Sequence, residues 1–107
     1  MIGAKPVVVP LRFEDRWALD PAAVEDAWTE RTRAVIVASP ANPTGMDAGD
    51  DAALQRLHAL CDERDAWLLC DEIYAGLSFR RRHGRLSALG PRAISICLLY
   101  TSDAADE

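Results

Sequence analysis

Apolar positions fall along the chain in two kinds of run. The first kind is continuous and short. Val7-Val8-Val9-Pro10-Leu11 is β-branched and predicts a strand that starts after Pro6 and ends early, or lies at an edge, because of Pro10. Ala34-Val35-Ile36-Val37-Ala38 and Trp67-Leu68-Leu69-Cys70 are apolar throughout rather than alternating. Such runs predict strands buried on both faces of a parallel sheet. Ala93-Ile94-Ser95-Ile96 begins a further strand.

The second kind repeats every three to four residues. Val24, Ala27 and Trp28 share one face of a short helix that starts at Asp20-Pro21, with Asp as cap and Pro at the first helical position, and ends near Glu30. Leu54, Leu57 and Cys61 form the stripe of a second helix, capped by Asp50 or Asp51 and running to about Asp65. Residues 39–49 and 80–92 are punctuated by Gly and Pro and read as loops, the latter with one helical turn at residues 86–89. Strand, helix, strand, helix, strand in this order predicts an α/β fold with a parallel sheet and right-handed crossovers.

With 107 residues the chain holds at most one small domain. Half its residues are apolar, which excludes collagen-like and disordered classes. A net charge of −5 argues against nucleic acid or an anionic membrane as partner. No apolar run approaches the roughly 20 residues of a membrane span. Cys61, Cys70 and Cys97 are widely spaced and odd in number, which fits reduced thiols in a cytoplasmic protein. Eleven of the 12 basic residues are Arg, and Lys5 is the single lysine.

In open α/β sheets, ligands sit outside the carboxyl ends of the strands. Two polar clusters occupy that place, Ser39 to Gly45 and Asp71-Glu72-Ile73-Tyr74. Asp71 ends an apolar strand, where a carboxylate calls for a cation or donor. Tyr74 and Asn42 add a phenol and an amide. Together they suit a planar heteroaromatic ligand with a protonated ring nitrogen and a ring oxygen. Taken singly, each has a plainer reading. Asn42-Pro43-Thr44-Gly45 makes a good turn, Asp71-Glu72 a loop start or helix cap, and Tyr74 a core or rim aromatic. His58 reads as a partly buried structural side chain, and Arg80-Arg81-Arg82-His83 as a solvated basic loop.

With both clusters at this spacing, residues 1–96 resemble the large domain of the class I/II aminotransferases, the fold-type I enzymes dependent on pyridoxal phosphate. The resemblance rests on Asn42-Pro43-Thr44-Gly45 and on Trp67 to Tyr74. It implies a mixed, mostly parallel sheet with helices on its faces. It implies that Asp71 meets the pyridine nitrogen of the cofactor and that Asn42 and Tyr74 bond its 3′-oxygen. It implies a cis peptide before Pro43. Amino acid and 2-oxo acid substrates and a homodimeric parent follow by the same resemblance.

The family's Schiff-base lysine is expected shortly after the strand at 93–96, and no lysine stands there. The isolated chain is therefore expected to be inactive, a large-domain portion truncated at both ends. Residues 97–107 depart from the family pattern. One back-translation of Cys97 to Ser102, TGTCTCTTATACACATCT, matches a library-preparation transposon end, so the tail is read as translated adapter. Leaving it out removes Asp103, Asp106 and Glu107 and takes the net charge from −5 to −2. Two other functions fit parts of the pattern. One is a carbon–sulfur lyase with the same cofactor and fold. The other is a P-loop nucleotide hydrolase with Asp71-Glu72 binding magnesium, which requires a G-x-x-x-x-G-K-[ST] loop that the chain lacks.

Overall fold

The computed structural model describes residues 2–45, 51–77 and 86–96. The elements run α1 (Pro21–Ala27), β1 (Ala34–Ala38), α2 (Asp51–Glu63), β2 (Trp67–Asp71), two 3₁₀ turns (Ala75–Leu77 and Leu86–Leu89) and β3 (Ala93–Ile96). The three strands form one parallel sheet in the order β1-β2-β3. The α/β class and all three of these strands match the reading from the sequence.

Local chemistry sets the helix ends. The Asp20 carboxylate accepts from the Ala22 and Ala23 amides at 3.0 and 3.3 Å, capping α1. This helix stops at Ala27, short of the expected Glu30. Trp28 is already extended, and Thr29 and Thr32 bond each other's backbone or side chain instead of continuing the helix. After α2, Asp65 takes a left-handed conformation (φ 57°), and the Ala66 amide reaches back to the Cys61 carbonyl at 2.8 Å. This tight exit feeds directly into β2.

The core lies between the helices and one face of the sheet. Val37, Leu68 and Cys70 meet Leu54, Leu57 and Cys61 of α2, with Val24 and Trp28 packed at the margin. Arg56 of α2 and Arg64, in the turn that follows it, both pair with Glu25 of α1, and Arg64 also lies over the Trp28 ring. His58 is half-buried and packs on Gly90, in keeping with a structural role.

Two expectations are corrected. Residues 7–11 form no strand, and Val7 and Val8 are exposed. A strand exists only by pairing, none of the described strands borders this segment, and Pro10 removes a donor. The central strands are also not buried on both faces. Val35 and Val37 point to the helices, while Ile36 is 74% exposed on the other side, in line with partly exposed Ile94 and Ile96. The continuous apolar runs match a two-sided burial that these residues alone do not complete. Arg80 to His83 and the tail at 97–107 lie outside the described residues.

Candidate functional site

The β1–β2 register places Ala38 beside Asp71, so the segments after both strands leave the sheet side by side. The Ser39 amide extends the ladder by donating to the Asp71 carbonyl at 2.9 Å. The chain then turns through Pro40 and Pro43, both preceded by cis peptides. The Asn42–Pro43 bond was expected in this form; Ser39–Pro40 was not. The Gly45 amide closes the turn on the Ala41 carbonyl at 2.8 Å, with Gly45 at φ 66°, a conformation that favours glycine.

On the neighbouring strand, side chains alternate between the two faces. Asp71 therefore shares the face opposite α2 with Ile36 and Leu69. Its Oδ1 accepts from the Ile73 amide at 3.2 Å, and that is its hydrogen bond among the described residues. The carboxylate is half-buried and keeps acceptor capacity for a cation. Two backbone bonds then shape the turn, from Ala75 to the Glu72 carbonyl and from Leu77 to the Tyr74 carbonyl, both at 2.9 Å. The turn carries the Tyr74 hydroxyl to Asn42, whose Nδ2 donates to it at 3.2 Å. Thus the two clusters separated by 32 residues in sequence meet at one end of the sheet. Lys5 is exposed in the N-terminal segment, remote in sequence from both.

The donor set suits a protonated pyridine with an adjacent ring oxygen. Asp71 supplies an acceptor, and Tyr74 and Asn42 supply neighbouring donors. Among the described residues no group of three or more His, Cys, Asp or Glu side chains is arranged to hold a metal. Nor is any described helix long and apolar enough to cross a membrane.

The family model for aminotransferase class I and II matches residues 1–101. The chain belongs to that family. Aspartate aminotransferase of Bacillus subtilis is 33% identical over 93 residues, 86% of this chain and 23% of that protein. Arginine–pyruvate transaminase of Pseudomonas aeruginosa is 37% identical over 81 residues, 76% of this chain and 20% of that protein. Among solved structures, aspartate aminotransferase from Thermus thermophilus with maleate superposes with a TM-score of 0.79 at 34% identity, over 85% of this chain and 24% of the other. The chain therefore spans about a quarter of the length of these aminotransferases. Membership also displaces the nucleotide-hydrolase reading of Asp71-Glu72.

Two residues of the polar clusters, read from the sequence as loop positions, are buried. Glu72 and Ser39 are each only 4% exposed, a rare state for such side chains. The two-residue alternation carries the signal, since Leu68, Cys70 and Glu72 continue one face. Burial first, then the nearby Glu72 carboxylate, push the Cys70 thiol up to about 11.

Proposed function

We propose that this chain is part of a pyridoxal-phosphate-dependent aminotransferase that moves an amino group between an amino acid and a 2-oxo acid. The observation that carries the reading is the Asn42–Tyr74 hydrogen bond at the strand end that presents Asp71. When bound, the cofactor supplies a protonated ring that takes up electrons from the substrate. Asp71 would hold the proton at the ring nitrogen through a charge-assisted bond. Asn42 Nδ2 donates to the Tyr74 oxygen, which leaves the phenolic proton to be given to the ring's 3′-oxygen. Asn42 itself has a second amide proton for the same oxygen.

The transaminase names of the relatives support amino transfer over carbon–sulfur elimination. In this reading residues 1–96 are a portion of the cofactor domain of a cytoplasmic homodimer and residues 97–107 are a foreign tail, of which the family model's match overlaps residues 97–101. On this reading the 107-residue chain by itself does not transfer amino groups, because its single lysine, Lys5, precedes the sheet.

The test is an amino-transfer assay on the longer protein that carries this segment, supplied with pyridoxal phosphate and paired amino and oxo acids. Amino transfer that depends on the acceptor oxo acid is the expected result. Release of pyruvate and ammonia without an acceptor would instead assign a lyase. The isolated chain should give no borohydride-trapped cofactor adduct on Lys5. The nucleotide sequence across codons 97–102 tests the tail, because codons other than the adapter's would make it native.

A further inference from the structure

Glu72 lies where a carboxylate is costly. It is 4% exposed, on the helix side of the sheet, directly after the strand that presents Asp71 to the other side. Register carries Ser39 alongside it, and Ser39 is equally buried. Both are buried at the point where the two loops leave the sheet. A buried charge there is strongly disfavoured unless surrounding groups hold it.

The backbone of Glu72 links three elements. Its amide donates to the Ile96 carbonyl at 2.8 Å, tying the end of β3 to β2. Its carbonyl accepts from Ala75 at 2.9 Å, opening the turn that contains Tyr74.

We infer that Glu72 is a positioning residue for the cofactor site, its buried side chain fixing the turn that brings the Tyr74 hydroxyl to Asn42. The inference rests on the proposed cofactor reading for its functional consequence, but its structural content stands apart. Glu72 touches no substrate or cofactor atom in this account. It acts through Tyr74.

A double-mutant cycle on the longer protein tests this, with pyridoxal phosphate affinity measured by fluorescence titration rather than by turnover. Glu72→Ala is expected to weaken binding up to about fivefold in the wild-type background, the loss expected from removing the Tyr74 hydroxyl itself. In the Tyr74→Phe background the same change should cost less than about threefold, because the hydroxyl it positions is already gone. Glu72→Gln, which keeps length and an acceptor, should recover most of the affinity. Amide exchange should rise at residues 73–77 in Glu72→Ala while α2 stays protected. Additive losses in the cycle overturn the inference, as does unchanged exchange at 73–77. Should Glu72→Ala fail to fold, Glu72→Asp replaces it in the same cycle under the same criteria. If the wild-type protein binds no pyridoxal phosphate, the cofactor reading fails, and the exchange measurement still decides the role of Glu72.

Discussion

The side-chain amide of Asn42 donates to the hydroxyl of Tyr74 at 3.2 Å, joining the loop after β1 to the turn after β2. Each residue sits on a short loop whose path is set by the strand before it. Because the strands are adjacent and parallel, the bond links the two loops at one end of the sheet.

Tyr74→Phe removes the acceptor of this bond and the donor proposed for the cofactor oxygen. A neutral hydrogen bond contributes about 1 kcal/mol net, so cofactor affinity should fall about fivefold. Asn42→Ala should have a similar effect, and the double variant should lose less than the sum. Titration of the longer protein with pyridoxal phosphate measures all three. Wild-type affinity in both single variants would count against a cofactor role for the pair.

Asp71→Asn keeps the shape and the acceptor for the Ile73 amide but removes the charge. A charge-assisted bond stabilises by about 1.5–3 kcal/mol, which corresponds to roughly 10- to 150-fold in cofactor affinity. The expected outcome is a folded protein, by circular dichroism, with that loss in affinity and a larger loss in turnover. Retained turnover would remove Asp71 from the site.

Gly90 is held against His58. A Cβ at this position would stand 2.5 Å from Cε1 and 2.7 Å from Nε2 of the imidazole. Gly90→Ala should therefore destabilise by about 1–3 kcal/mol, as overpacking does. His58→Ala in the same chain should restore much of the loss. Urea unfolding of the four combinations reads the coupling, and independent effects would show that the contact is not maintained in solution.

Burial pushes both core thiols, Cys61 and Cys70, from the ordinary 9.0 up to about 11. In the unfolded chain they ionise from about pH 9, while in the folded chain they stay neutral until about pH 11. Their contribution to stability is thus fully present below pH 9 and is lost as pH rises through 9 to 11. Unfolding midpoints in urea should fall across that window, and fall less in a Cys61→Ala, Cys70→Ala protein. Alkylation of the native thiols at pH 8 should be slow and should accelerate in denaturant.

Much of the fold was legible in the residues because it is governed by short-range pattern. Asp20-Pro21 starts a helix wherever it sits, the Leu54, Leu57 and Cys61 stripe makes α2 amphipathic, and the apolar runs at 34–38 and 67–70 mark β1 and β2. Asp71, Asn42 and Tyr74 were legible as candidate chemistry because polar groups directly after apolar strands stand at the binding end of such sheets. Pairing lies beyond local pattern. Val7 to Leu11 has the composition of a strand but finds no neighbour here, so it forms none. Ile36 reads as core yet stands exposed, because burial depends on what covers the second face. Tertiary structure alone set the register of Ala38 with Asp71, the meeting of Asn42 with Tyr74 and the burial of Glu72. Those relations depend on groups distant in the chain, brought together only when the sheet closes its long-range hydrogen bonds.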